Sequence, residues 1–190
     1  GLDSLHGQDT VQVALGVYEE ILVAPALAFT LRGEFEPDSG DNARPFVNAT
    51  ALPVPDTTAV LLFPRFARAV VENFRFRNGS RNGIRSWADE VTLRNCILDS
   101  ANQGFEQVRD SIGAVVCLDR CAFLDCLQGC AYTGLGTTFC ASDCEFTGRE
   151  WELPWALVGM AGCGSSLVRC SFQTDAARSL LYVARGPNEV

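Results

Sequence analysis

The chain has 190 residues, of which 47% are hydrophobic and 20% are charged, and its formal net charge is −8. This apolar content excludes a disordered chain, and no apolar run is long enough for a membrane span. We therefore predict a single domain over 1–190, with no membrane span and, because the protein is acidic, no nucleic-acid partner. All basic residues are arginines and there is one histidine, which leaves few candidates for a general base or a Schiff-base nucleophile.

The chain is expected to begin with short strands, the first of them at Thr10. The segment 35–58 breaks this pattern with several prolines and predicts a long loop, after which strands resume at Ala59–Phe63. A loop of this length is either a plain excursion from the fold or one side of a binding surface.

A short motif recurs from residue 73 onward, in which Phe or Cys is followed two positions later by an aromatic or aliphatic residue. The intervals between copies are 22 (74 to 96), 25 (96 to 121), 23 (121 to 144) and 26 (144 to 170) residues. A glycine motif at Gly83, Gly104 and Gly129 recurs in phase with it. A period of about 20–26 residues is typical of leucine-rich repeats, helical pairs or β-solenoids.

The leucine-rich consensus is missing, and no stretch has sustained helical periodicity. Alternating pairs such as Val91 with Leu93 and Val116 with Leu118 instead predict short strands separated by tight bends. We therefore predict an all-β parallel β-helix, a solenoid with coils of about 20–26 residues and little helix.

The stretch 9–20 (DTVQVALGVYEE), together with 29–34 (FTLRGE), resembles the first coil of right-handed parallel β-helix proteins, the superfamily that includes pectate lyases and pectin methylesterases. Gln8 and Leu15 replace a glycine and a proline that are usual there. The later Cys-x-Phe/Leu copies also match the repeat of this superfamily. The resemblance covers nearly the whole chain and implies a right-handed parallel β-helix.

The resemblance implies little about activity. The chain has no lysine, and it lacks the Gly-His-Gly stretch of the hydrolases and the Gly-x-x-Asp-Phe-x-Phe-Gly stretch of the esterases. We expect no catalytic residues, no cofactor and no metal ligands, and we lean towards a protein that is not an enzyme. Several carboxylates could do acid–base work or bind calcium, although a solvated acidic face is the simpler interpretation: Asp89, Glu90, Glu106, Asp110, Asp119 and Asp143, with Arg109 nearby.

Equivalent positions of a solenoid stack into ladders. The first motif position predicts an inward ladder of Phe74, Cys96, Cys121, Cys144 and Cys170. The second predicts an inward ladder of Phe76, Leu98, Phe123, Phe146 and Phe172.

Nine cysteines cannot all pair within one chain. Cys117 and Cys140 are expected to face outward on adjacent coils, so we predict a disulfide between them. Asn48 and Asn78 begin glycosylation sequons. The start at Gly1, with no leader pattern, fits a mature secreted protein and fits equally well a segment cut from a longer protein. Together these features predict an extracellular or cell-surface location.

Both ends of a β-helix present unpaired strand edges, which soluble members usually cover. Leu2–His6 is short for a covering helix, and few residues follow the apolar run at 179–184. We predict assembly edges at Thr10, Val11, Val13, Leu180, Leu181, Tyr182 and Val183.

The leading functional hypothesis is a non-catalytic extracellular structural subunit that polymerises head to tail into filaments, with a second copy as its partner. One alternative is a carbohydrate-binding or carbohydrate-active domain whose partner is a polysaccharide, with Trp87, Trp151 and Trp155 either stacking on sugars or packing loops. The other is a spacer or adhesin module of a surface protein.

Overall fold

The computed structural model describes residues 9–50, 59–78, 82–108, 113–148, 157–161, 164–174 and 180–184. Their strands form three parallel sheets of seven strands each. Sheet A contains β1 (Asp9–Val13), β4 (Ala28–Gly33), β7 (Arg68–Glu72), β10 (Glu90–Arg94), β13 (Val115–Asp119), β16 (Thr138–Ser142) and β19 (Ser166–Val168). Sheet B contains β2 (Val17–Tyr18), β5 (Phe46–Asn48), β8 (Arg75–Arg77), β11 (Ile97–Asp99), β14 (Ala122–Cys126), β17 (Glu145–Gly148) and β20 (Ser171–Thr174). Sheet C contains β3 (Leu22–Val23), β6 (Leu61–Phe63), β9 (Ile84–Ser86), β12 (Gln103–Gln107), β15 (Gly129–Tyr132), β18 (Val158–Ala161) and β21 (Leu181–Ala184).

The chain visits sheets A, B and C in turn, so three consecutive strands make one coil and the next coil pairs with it in parallel. Val91 of β10 pairs with Val116 of β13, and Leu93 pairs with Leu118, all four with their side chains in the core. The predicted all-β parallel solenoid is confirmed, and the arrangement is consistent with the right-handed class. In the described ranges the helical content is one 3₁₀ segment, Pro37–Asn42, and no helix there is long and apolar enough to cross a membrane.

The second predicted ladder is a continuous column on the inner side of sheet B. In register, Phe76 pairs with Leu98, Leu98 with Phe123, Phe123 with Phe146 and Phe146 with Phe172. The rings of Phe123 and Phe146 are stacked with centroids 5.1 Å apart, and those of Phe146 and Phe172 are 5.2 Å apart. This spacing is close to the ~4.8 Å between strands, so the aromatic rings follow the backbone repeat.

The first predicted ladder lies at the corner between sheets A and B. Phe74, Cys96, Cys121 and Cys144 are all buried there, and Cys170 is partly buried. The thiol of Cys121 donates to the carbonyl of Leu93, and the backbone N–H of Cys121 donates to the sulfur of Cys144. These cysteines therefore serve as small core residues that also bond the backbone of a neighbouring coil.

Each of these ladder residues follows a residue with left-handed backbone. The φ angles lie between 50° and 63° at Asn73, Asn95, Arg120, Asp143 and Arg169. Asparagine and aspartate tolerate this conformation, whereas arginine has no such preference. Asn95 Nδ2 donates to Asn73 Oδ1 at 2.9 Å, and Arg169 makes two hydrogen bonds to Asp143, so contacts between coils help to hold this tight corner.

The glycine motif marks a close approach between coils. A Cβ atom on Gly104 would lie 2.5 Å from the carbonyl oxygen of Cys130 and 2.5 Å from Cδ1 of Phe123. Real Cβ contacts are never that short, so the packing of sheet C against the aromatic column requires glycine here.

The structure divides the segment 35–58 that the sequence predicts as one long loop. Pro37–Asn42 forms the 3₁₀ segment, and Phe46–Asn48 forms β5, which pairs with β2 and β8. Pro45 precedes β5, a position where proline disrupts no ladder hydrogen bond, and its carbonyl accepts from Arg75 N. The chain therefore rejoins the stack earlier than its proline content predicts. Residues 51–58 lie outside the described residues.

Removing an interior ring should destabilise the whole stack. We expect Phe146→Ala to lower the free energy of unfolding by about 3–5 kcal/mol, because it leaves a cavity in the aromatic column. Urea unfolding monitored by circular dichroism measures this change. Phe66→Ala is the control, because Phe66 is 73% exposed and its ring covers little of the core. Equal losses from the two variants would contradict the column as the source of stability.

Candidate functional site

One end of the described solenoid is the coil made by β1, β2 and β3. A cavity of about 470 Å³ lies inside this coil. Val11 and Tyr18 line it and are only partly buried, whereas Leu31 and Val47, their register partners one coil further in, are 2% and 1% exposed. We call the inward side chains of this coil the β1–β3 face: Val11, Val13, Tyr18 and Leu22.

The opposite end is the coil made by β19, β20 and β21. Leu181 and Val183 are 42% and 55% exposed, although their register partners Val158 and Met160 are buried. Phe172 is likewise only partly buried, whereas Phe146 beneath it is fully covered. We call the inward side chains of this coil the β19–β21 face: Leu167, Cys170, Phe172, Leu181 and Val183.

The residues predicted as assembly edges fall into two groups. The inward group comprises Val11, Val13, Leu181 and Val183, which belong to the two faces. The outward group comprises Thr10 and Tyr182, with Leu180 immediately before β21.

Tyr18, Leu22 and Leu167 belong to the faces but were not predicted as edges. For Tyr18 a signal was present, because the predicted aromatic ladder reaches it when extended two coils beyond Phe76, through Val47. Tyr18 pairs with Val47, Leu22 with Leu61, and Leu167 with Ala141.

The two ends differ in charge. Residues 9–24 contain Asp9, Glu19 and Glu20 and no arginine, whereas Arg169 is the one charged residue in 164–174 and 180–184. Arg169 lies at the outer surface and pairs with Asp143. Among the described residues, the β1–β3 end is therefore acidic, whereas the charge of Arg169 at the β19–β21 end is balanced by Asp143.

A largely buried ion cluster lies on the outer side of sheet B. The carboxylate of Asp99 accepts hydrogen bonds from Arg75 Nη2 at 2.6 Å, from Arg77 Nη2 at 2.5 Å and from Ser100 Oγ at 2.6 Å. Both guanidinium groups also lie over the ring of Phe46, with centroid distances of 5.3 and 5.4 Å. Because Asp99 is fully engaged by its donors, this cluster ties three coils together rather than presenting a reactive group.

The pKa of Asp99 reflects this cluster. Burial acts to raise it, but the hydrogen bonds from Ser100, Arg75 and Arg77 outweigh burial and hold the pKa below its ordinary value. Asp99 therefore stays ionised in the folded protein to lower pH than in the unfolded chain.

The structure does not bring the predicted acidic candidates into one site. Glu106 lies on sheet C and pairs with Arg85 at 3.0 Å, while Asp119 ends β13 on sheet A and Asp143 lies at the A–B corner. Asp89 directly precedes β10 and Glu90 is its first residue, and both are exposed. No group of three or more metal-binding side chains occurs in the part of the chain that the structure describes. Arg109, Asp110, Trp151 and Trp155 lie outside it.

The predicted disulfide is not present. Cys117 and Cys140 are direct register partners on β13 and β16, as the spacing predicts, but both are free thiols. In-register side chains of parallel strands project in the same direction, which disfavours the ~90° torsion of a disulfide. Burial and the neighbouring Cys140 raise the pKa of the Cys117 thiol.

The two sequon asparagines differ in accessibility. Asn48 lies in β5 and is partly exposed, whereas Asn78 is 2% exposed and its Nδ2 atom donates to the backbone carbonyl of Asn82 at 2.6 Å. Because a glycan would be attached through Nδ2, the folded structure accommodates a glycan at Asn48 far better than at Asn78.

No protein-family model, curated protein or solved structure matches this chain.

Replacing Asp99 should uncover two guanidinium charges. We expect Asp99→Asn to lower the free energy of unfolding at pH 7 by about 3 kcal/mol, because it breaks a mostly buried ion cluster. Stability of the wild type should also fall as pH drops below about 4, the ordinary aspartate pKa, because only the unfolded chain takes up the Asp99 proton there. Urea unfolding at several pH values measures both effects.

Asp143→Asn is the matched control for this prediction, since its pair with Arg169 is exposed. A loss as large as that of Asp99→Asn, or an Asp99→Asn protein with the same acid sensitivity as the wild type, would contradict the role given to Asp99.

The thiols should differ in reactivity. In the native protein we expect iodoacetamide to alkylate Cys117 and Cys140 well before Cys96 and Cys121, which are buried. Because the pKa of Cys117 is raised, its alkylation should accelerate at higher pH than that of an ordinary thiol. Peptide mass spectrometry measures this, with alkylation in urea as the control. A reductant-dependent gain of two hydrogens on the peptides carrying Cys117 and Cys140 would show a disulfide and contradict the prediction.

Proposed function

We propose that this chain is a non-catalytic structural subunit that assembles head to tail into filaments. In this assembly the β1–β3 face of one copy lies against the β19–β21 face of the next. The observation that supports the proposal is the pair of incompletely covered apolar faces at opposite ends of one parallel stack. Burying them would remove apolar surface from water, which is the dominant favourable term in most protein association.

The parallel arrangement favours head-to-tail contact over contact between like faces. All strands of a sheet run in the same direction, so the edge of β1 can continue the edge of β19 in parallel. Two β1 edges would have to meet in antiparallel fashion. A contact between two different faces does not close on itself and extends as an open filament.

Long-range electrostatics oppose association, because each copy carries a net charge of −8. At about 0.15 M ionic strength this repulsion is screened beyond about 8 Å, so contact between the apolar faces dominates at short range. Assembly should therefore be measured at or above this ionic strength.

We further propose an extracellular or cell-surface location, which the partly exposed sequon at Asn48 supports. Membership of the pectate-lyase-like right-handed β-helix superfamily is also a proposal. It is supported by the residues 9–20 and 29–34 together with the solenoid architecture.

Polysaccharide binding is a second candidate, favoured by aromatic residues at the corner between sheets C and A. Phe66 is 73% exposed and has a φ of 66°, an unusual conformation for a bulky residue. Trp87, whose backbone N–H donates to Phe63 O, occupies the corresponding corner of the next coil, with Arg85 over its ring at 5.0 Å. Retardation of the protein in gels that contain acidic or neutral polysaccharides would support this candidate if Phe66→Ala abolishes the retardation.

Assembly is tested with blocked faces. We expect the wild type to form rods in negative-stain images and to show concentration-dependent growth in sedimentation velocity. Val11→Glu blocks the β1–β3 face and Leu181→Glu blocks the β19–β21 face. Each variant alone should remain monomeric, because every copy in the solution has the same face blocked. An equimolar mixture of the two should form dimers, because one unblocked face of each kind remains.

Leu135→Glu is the control, since Leu135 is 45% exposed and lies between β15 and β16, away from both end coils. It should form rods like the wild type, and thermal unfolding should show that all variants remain folded. Wild-type monomers at every concentration would refute the proposal, and dimers formed by a single blocked variant would refute the head-to-tail arrangement.

A further inference from the structure

We infer that successive copies dock in phase, so that sheets A, B and C each continue as one sheet through the junction. In this register β19, β20 and β21 of one copy pair with β1, β2 and β3 of the next copy, respectively. The inference rests on the proposed function and specifies which residues meet at the junction.

The inner columns have matching chemistry across the junction. Successive residues of each column pair in register along the stack. In phase, Leu167 is therefore followed in its column by Val11 of the next copy, and Leu181 is followed by Leu22 of the next copy. Each end residue is only partly buried within its own copy. In-phase docking therefore supplies each with an apolar neighbour of similar size at the ~4.8 Å strand spacing.

The aromatic column gives the most specific match. Phe123, Phe146 and Phe172 are stacked at 5.1 and 5.2 Å, and the next position of the same column in the following copy is Tyr18. The Tyr18 hydroxyl donates to Ala14 O within its own coil, so its ring is held inside the β1–β3 face. Phe172 against Tyr18 adds one more offset-stacked pair to the column.

The outer columns present no like charges to each other in this register. Val168 would meet Gln12, Ser171 would meet Val17, and Tyr182 would meet Val23. Tyr182 and Val23 are 53% and 59% exposed, so this last contact covers two apolar side chains on the outer side of sheet C.

The corners of the coil distinguish this register from one of the two rotated ones. The A–B corner of the last described coil takes two residues, Arg169 and Cys170, between β19 and β20. The C–A corner of the first coil is wider, since 24–27 separate β3 from β4. A rotation that places β21 on β2 would seat the two-residue corner on this four-residue corner.

Charge pairs across the junction test the register. Tyr182→Glu should raise the critical concentration for assembly, because it replaces an apolar contact with a charge. In phase, the double variant Tyr182→Glu with Val23→Arg should have a critical concentration about two- to fivefold lower than the product of the two single fold-changes predicts, as expected for opposite charges paired across strands.

Rotated registers make different predictions for matched variants. A rotation that places β21 on β2 would couple Tyr182→Glu with Val17→Arg, and the other rotation would couple it with Gln12→Arg. The three substituted side chains, at Gln12, Val17 and Val23, all project outward from the first coil. Only the docking register therefore decides which of them couples with Tyr182→Glu. Thermal unfolding checks that each protein is folded.

The outcomes separate the inference from the proposed function. Coupling with Val23→Arg alone supports the in-phase register. Filaments that show coupling with Val17→Arg or Gln12→Arg, or with none of the three, overturn the register and leave the structural role intact. A wild type that never assembles overturns both.

Discussion

The structure depends on one constraint, which is that each strand pairs residue by residue with the equivalent strand of the next coil. Backbone hydrogen bonds therefore join positions such as Val91 and Val116, which are distant in sequence. Because the register is one to one, every inward position becomes a column, and neighbours within a column must have compatible sizes. An extra residue must be absorbed locally. The chain does this in β14, where Asp125 takes a φ of 55° and the pairing shifts before Cys126 meets Gly148.

The same register also orders the charges outside the core. On sheet A, Glu72 lies between Arg32 and Arg94 in one column and accepts from both, at 2.7 and 3.0 Å. On sheet B, Asp99 receives Arg75 and Arg77 from the coil before it. Like charges directly opposite each other on neighbouring strands are destabilising, and alternation of sign along a column avoids them. The forked guanidinium group suits these contacts, because it can bridge a carboxylate on a neighbouring coil through two donors.

Features with a fixed offset in the repeat were predictable from sequence, and features that depend on side-chain direction or on neighbouring coils were not. The ladder positions of Leu98 and Phe123 follow from the spacing alone, because the interval between motif copies equals the number of residues in one coil. The strand Phe46–Asn48 was hidden by Pro45, since proline content does not reveal that the next residues return to the stack. The Cys117–Cys140 disulfide failed for a geometric reason, because adjacency in register does not provide the required torsion.

The Asp99 cluster could not be predicted from sequence, because Arg75 and Arg77 meet Asp99 only after the coils are stacked. The faces were partly predictable. The sequence predicts Val11 and Leu181 as edge residues, but Tyr18 lies before the first copy of the recurring motif, so its place in the aromatic ladder follows only when the ladder is extended beyond those copies.

Because each coil is stabilised by pairing with its neighbours, the two end coils of the described solenoid should be its least stable coils. An interior coil is held by two neighbours, and the stability of a repeat array is close to a sum of coil terms and nearest-neighbour terms. The coils of β1–β3 and β19–β21 each have one neighbour among the described residues, and their inward side chains are correspondingly less buried. A second copy would supply the missing neighbour term at both ends. Binding to the folded state alone stabilises that state, so association through these faces and the order of the end coils are thermodynamically coupled.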